Sequence, residues 1–240
     1  QNGEIILIDK ELNWTSFDVV SKLRNSIKKK LDLKKIKVGH AGTLDPLATG
    51  LLIICTGKMT KRIDEFSCLN KTYTGKITIG STTPSYDLET KPNVYYPTDH
   101  INDELILNTA KKFTGKILQK PPIFSAVKKD GVRLYKLARR GVDVKVEKRE
   151  ITIHDFTITS INFPEIEFSV CCSKGTYIRS LANDYGKELG SGAHLSELRR
   201  RLIHSLIFLS VLFVICYYYS EYIYSFLVDP YAQAVKDDDT

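Results

Sequence analysis

The stretch Val38-Gly-His-Ala-Gly-Thr-Leu-Asp-Pro-Leu-Ala-Thr-Gly50 presents one acidic residue, Asp45, from a tightly specified segment of backbone. Glycines punctuate the residues before it, and Pro46 restricts the conformation of Asp45 itself. An isolated Asp-Pro dipeptide is usually an ordinary surface turn, but a carboxylate held by such a loop is also a candidate functional group. The apolar run Leu51–Cys55 predicts a buried strand directly after the loop.

The chain has 240 residues, a net charge of +7 and a pI near 9.0, which favours a polyanionic partner, either nucleic acid or an anionic membrane surface. Its length fits one large domain, or a large domain with a small one. The basic residues form three clusters, each beside a motif described below, and this arrangement favours RNA. The clusters are Lys28–Lys30 with Lys34, Lys35 and Lys37; Lys128, Lys129, Arg133, Lys136, Arg139 and Arg140; and Arg199–Arg201.

The five cysteines show no C-x-x-C pairing and no matching histidine spacing, so we expect no zinc site. An odd number of cysteines without a disulfide framework suits a reducing compartment, and no secretory signal is visible at the start of the chain. These features predict a cytoplasmic protein.

Hydrophobic periodicity predicts a mixture of strands and helices without regular βαβ alternation, which indicates the α+β class. Thr15 or Ser16 is expected to cap a helix whose apolar face is Phe17, Val20, Leu23 and Ile27. The further predicted helices are Asp103–Phe113, Leu134–Arg139 and Tyr177–Leu189. The predicted strands are Glu4–Asp9, Leu51–Cys55, Lys71–Gly80, Glu150–Ile161 and Glu165–Ser173, and residues 84–97 are expected to be loop.

Three segments together resemble the TruB family of tRNA pseudouridine synthases, in order along residues 3 to about 200. They are residues 38–50, Lys71-Thr-Tyr73 with Ile79-Gly80, and Ser173-Lys-Gly-Thr-Tyr-Ile-Arg-Ser180. The resemblance implies a pseudouridine synthase fold over residues 1–200, in which helices flank a mixed, largely antiparallel β-sheet.

The resemblance also implies roles for individual residues. Asp45 is expected to attack the target uridine, and Arg179 to pair with its carboxylate and lower its pKa. Tyr73 is expected to stack on the everted uracil and is a candidate acceptor of the C5 proton. His40 would fill the space that the base leaves, while Tyr177 and Leu198 would line the base pocket. Separately, Lys10 and Lys61 are candidate phosphate contacts, although either is equally well an ordinary lysine.

The branch of the family that the chain resembles acts without a guide RNA on the uridine at position 55 of the tRNA T arm. We therefore expect a monomeric isomerase whose partner is the T arm of tRNA and which needs no metal and no cofactor. The sequence leaves open whether Asp45 attacks C1′ or C6 of the nucleotide. A different function also fits, namely a catalytically idle protein that binds RNA or assists tRNA folding.

Residues 201–240 depart from the family, which normally continues with a small module that clamps the RNA. Here an apolar, tyrosine-rich segment at 202–228 follows three arginines. It is long enough to cross a bilayer, which would make the chain a membrane-attached basic protein. A shifted reading frame and a buried core segment are the alternatives.

Overall fold

The computed structural model describes residues 2–201 except 126, 130, 141, 143 and 145. The predictions for the apolar tail at 202–240, including membrane contact, lie outside the described residues. So do the side chains of Lys128, Lys129, Arg133, Lys136, Arg139 and Arg201 in the basic clusters. Within residues 2–201, the described helices include none that is long and apolar enough to span a bilayer.

Most of the described strands form one mixed sheet. The strands are β1 (Ile5–Lys10), β2 (Val38–His40), β3 (Ala48–Thr56), β4 (Lys71–Ile79), β5 (Ser81–Thr82), β6 (Val94–Tyr95), β7 (Gly115–Gln119), β8 (Lys128–Lys129), β9 (Val132–Arg133), β10 (Arg149–Asn162), β11 (Glu165–Cys172) and β12 (Ala193–Arg201). The order in the sheet is β1-β3-β12-β4-β11-β10-β7, with β2 paired to β3, and two small hairpins pair β5 with β6 and β8 with β9. Only the β12–β3 pairing is parallel among these described pairs. The predicted α+β class with a largely antiparallel sheet is confirmed.

The helices are short apart from the first, and the predicted ones are all present. They are α1 (Ser16–Lys30), a 3-10 helix (Gly57–Arg62), α2 (Ile63–Ser67), α3 (Asp103–Lys111), α4 (Leu134–Arg139) and α5 (Ile178–Glu188). Thr15 caps α1 in a capping box, in which its hydroxyl accepts from the Asp18 amide at 3.0 Å and its own amide donates to the Asp18 carboxylate. The prediction that Phe17 belongs to the apolar face is wrong, because Phe17 is 63% exposed while Val20 is buried in the core.

Aromatic packing fixes α5 against the sheet. The ring of Tyr185 lies 5.6 Å from that of Phe156 on β10, which in turn lies 5.9 Å from Phe168 on β11. The buried Tyr185 hydroxyl donates to the carbonyl of Ile106 on α3 at 2.8 Å, so its polar end is satisfied. The start of α5, which carries Arg179, is thereby set at a fixed distance from the sheet.

The central strand β12 was not predicted, because Ala193–Arg201 contains His194, Glu197 and three arginines rather than alternating apolar residues. Tertiary pairing decides its conformation, since β12 fills the gap between β3 and β4. A bulge at Ser196 interrupts the pairing with β4 and re-aims the residues that follow. Strand β7, the 3-10 helix and α2 were likewise absent from the prediction, and Val94–Tyr95 forms a short strand inside the expected loop.

Two glycines have the same φ but different surroundings. Replacing each by alanine therefore measures the effect of backbone strain with and without steric overlap. Gly50 and Gly115 both have φ of +103°, but a Cβ at Gly50 would overlap the backbone carbonyl of Arg200, whereas none of the surrounding atoms lies within 4 Å of a Cβ at Gly115. We expect Gly115→Ala to lower the free energy of unfolding by about 1–2 kcal/mol. Gly50→Ala should lower it by roughly 1–3 kcal/mol more, because β12 must move away from β3.

Urea unfolding of both variants followed by circular dichroism measures the two costs. Equal losses for the two variants would mean that β12 adapts freely to a side chain on β3.

Candidate active site

The loop that carries Asp45 connects β2 to β3 and is held by the first residue of α1 and by the segment before that helix. The buried Ser16 hydroxyl donates to the Leu44 carbonyl at 3.0 Å and accepts from the Leu44 amide at 2.9 Å. The Asn13 amide donates to the Pro46 carbonyl at 2.9 Å, on the other side of Asp45. Hydrogen bonds on both sides of Asp45 therefore fix the loop and the direction of the carboxylate.

Lys10 belongs to this support rather than to the surface. The side chain is only 1% exposed, and its ammonium donates to the carbonyls of Glu11 at 3.0 Å, Trp14 at 2.6 Å and Pro46 at 3.4 Å. Burial lowers the pKa of Lys10, while the charges of Asp45 and Asp18 oppose that shift. The sequence suggested a phosphate contact here, but in this structure the donors of Lys10 face the protein's own backbone.

Arg179 reaches Asp45 from the first turn of α5. Its Nε lies 2.9 Å from Oδ2 of Asp45, and its Nη2 donates to Oδ1 at 3.3 Å, so the guanidinium grips both carboxylate oxygens. The Arg179 side chain is only 5% exposed, whereas that of Asp45 is 39% exposed. The pair is therefore buried on the arginine side and open on the side from which a ligand would approach.

The rest of the Arg179 guanidinium is also occupied. Nη1 lies 3.4 Å from Oδ2 of the buried Asp87 and donates to the Ser85 carbonyl at 3.2 Å, and Nη2 donates to the Phe124 carbonyl at 3.0 Å. Asp87 is itself held in place, because its Oδ1 accepts from the Glu89 amide at 3.0 Å. These partners fix the guanidinium in one orientation, so the position of Asp45 follows from it.

Gln119, at the end of β7, fixes the residue before α5. Its side-chain amide donates to the Tyr177 carbonyl at 3.0 Å and its carbonyl oxygen accepts from the Tyr177 amide at 2.8 Å. The next helical turn is tied down as well, since the Ser180 hydroxyl donates to the Lys120 carbonyl at 2.9 Å. The sequence analysis missed Gln119, because a glutamine before two prolines carries no local signal of such a contact.

The carboxylate of Asp45 opens into a cleft between β3, β12 and the start of α5. Leu198, two residues after the bulge at Ser196, lines this cleft together with Asp45 and Arg179, and its contact with a substrate base stays a prediction. The cleft is lined by Asp45, Leu47, Ala48, Asp87, Arg179 and Leu195–Leu198. The lining combines apolar side chains with the ion pairs that Arg179 makes with Asp45 and Asp87.

The negative charge of Asp45 affects the pKa values of two nearby tyrosines. Burial raises the pKa of Tyr73, on β4, to about 12, and the Asp45 carboxylate contributes to that shift. Burial also raises the pKa of Tyr177, and Asp45 again contributes. Tyr73 is therefore a neutral phenol at pH 7, which suits stacking on a base better than accepting a proton.

Burial raises the pKa of Asp45 above its ordinary value, and the negative charge of Asp87 raises it further, while Arg179 and Lys10 oppose the shift. The sequence analysis expected the guanidinium to lower this pKa. The expected ion pair is present, but its effect is outweighed because the carboxylate shares its arginine with a second carboxylate in a partly dehydrated cleft.

Of the predicted residues, Asp45, Arg179 and Leu198 line this cleft. Those that are not among its lining residues are Lys10, His40, Lys61, Tyr73 and Tyr177. His40 ends β2, five residues before Asp45, and burial lowers its pKa, so the imidazole is neutral at pH 7. Lys61 is exposed on the 3-10 helix. In the described part of the chain, the histidines, cysteines and acidic residues form no group that would hold a metal ion.

Comparison with known proteins gives two family matches. The family model for the TruB family pseudouridylate synthase (N terminal domain) matches residues 28–178, well over half of the chain. The model for the Sec-independent protein translocase protein (TatC) matches residues 193–239, and the first nine of these residues are β12.

Named relatives match over most of their own length. The tRNA pseudouridine synthase B of Flavobacterium johnsoniae is 60% identical over 202 residues, which cover 84% of this chain and 88% of the relative. The protein of the same name from Phocaeicola vulgatus is 54% identical, over 83% of this chain and 85% of the relative.

Solved structures resemble the same region. A chain in the crystal structure of a Cbf5-Nop10-Gar1 complex matches with a TM-score of 0.61 and 31% identity, over 83% of this chain and 48% of that chain. A chain in the structure of an H/ACA RNP bound to a substrate RNA containing 2′-deoxyuridine matches with a TM-score of 0.57 and 28% identity, over 83% of this chain and 46% of that chain. This chain therefore spans about half the length of those two.

Asp45 and Asp87 both pair with Arg179, so the charge of Asp87 should affect the pKa of Asp45. Asp87→Asn keeps the shape of the side chain but removes a negative charge that raises the pKa of Asp45, and it leaves Arg179 with a single anionic partner. The pKa of Asp45 should therefore fall, as measured by carboxyl carbon NMR across a pH series. Glu188→Gln is the matched control, because it removes one charge at the opposite end of α5, where Glu188 pairs with Lys112. A pKa of Asp45 that rises or stays unchanged in Asp87→Asn would contradict this account of the site.

Proposed function

Because the chain belongs to the TruB family of pseudouridylate synthases, we propose that it converts the uridine at position 55 of the tRNA T arm to pseudouridine. The observation that carries this proposal is the buried guanidinium of Arg179, which grips the half-exposed carboxylate of Asp45 in a cleft that also contains Leu198. The relatives of 60% and 54% identity that bear the name tRNA pseudouridine synthase B support tRNA as the substrate.

In the proposed reaction Asp45 is the nucleophile: its carboxylate forms a C–O bond to either C1′ or C6 of the nucleotide, and that bond breaks again before the product leaves. The bond between N1 and C1′ breaks, the uracil turns over while it remains in the cleft, and a bond forms between C5 and C1′. C5 then loses its proton and N1 gains one, so the product is an isomer of the substrate. Arg179 keeps the Asp45 carboxylate aimed and favours its ionised form, against the effects of burial and of Asp87.

The base must leave the RNA stack before it reaches Asp45, and eversion costs on the order of a few kcal/mol. We assign Tyr73 to stack on the everted uracil, with Tyr177 and Leu198 as the other walls of the pocket. His40, which is neutral and lies at the end of β2, is assigned to the space that the base leaves. Lys10 is assigned a positioning role in the loop rather than a phosphate contact, because its donors are taken by carbonyls.

A basic groove beside β2 supports RNA as the partner. This groove of about 550 Å³ is lined by Arg24, Lys28, Lys34, Lys35, Ile36, Lys37, Val38, Gly39, Thr60 and Ile63. Among the described residues, none of its five cations has a carboxylate within ion-pair distance. Since Gly39 lines the groove and His40 follows it, RNA backbone bound here would continue toward the cleft.

We further propose that residues 1–200 act as a monomer in the cytoplasm and need no guide RNA. A monomer is supported because one chain supplies all the groups named above. The free thiols of Cys55, Cys68, Cys171 and Cys172 suit a reducing compartment. Size-exclusion chromatography with light scattering tests the first statement, and turnover of protein-free tRNA by the purified chain tests the last.

Replacement of the nucleophile should separate turnover from binding. Asp45→Asn should reduce the release of tritium from tRNA labelled at C5 of uridine by at least about three orders of magnitude, because the amide is a poor nucleophile. Its affinity for tRNA in filter binding should change by less than about tenfold, which corresponds to about 1.4 kcal/mol.

Asp155→Asn, which removes an exposed carboxylate from β10, serves as the control and should retain turnover. Turnover by Asp45→Asn would refute the assignment. A wild-type chain that binds tRNA but releases no tritium would instead fit an idle RNA-binding protein.

Neutralising the groove should weaken binding without altering the chemical step. Lys34→Gln, Lys35→Gln and Lys37→Gln combined should raise the Kd for tRNA, and the slope of log Kd against log salt should fall by roughly 0.7–0.9 for each phosphate that the groove no longer binds. Turnover at saturating tRNA should stay within about threefold of wild type, because none of the three touches the cleft.

The matched control replaces Lys76, Lys112 and Lys116 by glutamine, which changes the net charge equally but removes lysines already paired with glutamates. An equal loss of affinity in both triple variants would show that net charge, and not the groove, governs binding.

A further inference from the structure

A second arginine, Arg200, is buried beside the same loop. It lies on β12 in register with Tyr73 of β4 on one side and Gly50 of β3 on the other, and it is only 5% exposed. Side chains alternate along a strand, so Arg200 shares a face with Leu198, while its neighbour Arg199 faces the other way. Arg199 has a 54% exposed side chain and donates to the carboxylate of Asp9 at 3.3 Å.

The end of the Arg200 side chain lies against the catalytic loop. A Cβ added at Gly42, three residues before Asp45, would lie 3.3 Å from Nη1 of Arg200 and 3.6 Å from Cε of Lys71. The Lys71 ammonium donates to the carbonyls of Ser67 at 2.8 Å and Leu69 at 2.7 Å. Burial lowers the pKa of Lys71, and the nearby positive charge of Arg200 lowers it further. Two cations therefore converge on one side of the loop.

No negative charge compensates Arg200 within the described residues: its guanidinium has neither a carboxylate within 4 Å nor a hydrogen bond there. The ionisable groups near it are Tyr73, with a pKa of about 12, and Cys172, with a pKa of about 11, and both are neutral at pH 7. A buried charge without a partner is costly, so this arrangement is expected where a ligand supplies the missing charge.

We propose that Arg200, with Lys71 beside it, binds a phosphodiester that adjoins the everted uridine. This inference rests on the proposed function, which brings that nucleotide between Tyr73 and Asp45. Arginine suits the task because its planar guanidinium donates two parallel hydrogen bonds to phosphate oxygens. The contact holds the nucleotide's backbone at the catalytic loop while the base enters the cleft, and it assigns to Arg200 a role distinct from the ion pair of Arg179.

The test is a coupling measurement between one side chain and one phosphate. Binding is measured in chains that also carry Asp45→Asn, with T-arm stem-loop RNAs in which a neutral methylphosphonate replaces either phosphate adjoining the target uridine or a phosphate in the distant stem. With Arg200 present, one of the two adjoining replacements should weaken binding about tenfold. In Arg200→Gln, binding of the unmodified RNA should weaken about tenfold, and the same replacement should then change binding by less than about twofold.

Two further variants separate a phosphate contact from a structural role. Arg199→Gln removes the same charge from the opposite face and should respond to each methylphosphonate as the parent does. Arg200→Lys keeps the charge and should recover part of the affinity that Arg200→Gln loses. The proposal is overturned if neither adjoining methylphosphonate weakens binding when Arg200 is present. It is also overturned if that replacement lowers the affinity equally in Arg200→Gln and in the parent. Turnover by Asp45→Asn would instead refute the proposed function, so the two failures are distinguishable.

Discussion

Burying the guanidinium of Arg179, whose side chain is 5% exposed, is costly unless its charge and its donors are satisfied, and two carboxylates and two carbonyls satisfy them. That requirement brings together segments that are far apart in the chain: the Asp45 loop, residues 83–87, residue 124 and the first turn of α5. The position of the Asp45 carboxylate is thus a consequence of burying one arginine. The core supports this indirectly, because Tyr185 seats α5 on β10 and Gln119 fixes the residue before its first turn.

The same constraint explains why Asp45 titrates as it does. Burial is the largest cause of the raised pKa of Asp45, and the negative charge of Asp87 adds to it, while Arg179, which both carboxylates share, does not cancel the two effects. Asp87 is buried, whereas Asp45 remains open to the cleft. The two carboxylates therefore have different uses, since one anchors the arginine and the other is available to a substrate. Binding of an uncharged base over Asp45 would remove further water and strengthen its attraction to Arg179.

Much of the fold could be predicted from the sequence, because periodicity and capping are local properties. The Thr15 cap, the helix Leu134–Arg139 and the strand that carries Tyr73 are correct to within a residue. The pairing of Asp45 with Arg179 followed from the family resemblance, not from the pattern of residues. Features that depend on tertiary contacts were missed: β12 is a strand because two neighbours pair with it, Phe17 is exposed, and Lys10 is buried among carbonyls. The direction of the Asp45 pKa shift depends on burial and on the positions of the surrounding charges, which no linear motif encodes.

Arg179 and Arg200 illustrate how burial distinguishes a support from a binding group. Both are about 5% exposed and both lie beside the catalytic loop, so burial alone would suggest equal roles. Their partners differ: Arg179 is saturated by the protein and can only hold what it already holds, whereas Arg200 has no anion among the described residues. A cation whose charge and donors are already satisfied by protein groups stays in place when substrate binds, as a positioning residue must. A buried cation without an anionic partner gains most from a bound phosphate. It is already desolvated in the free protein, so binding does not include the free energy of its desolvation. In the proposed complex, the strand that carries Leu198 and Arg200 thus supplies an apolar contact for the base and, two residues further on, a cationic contact for its backbone.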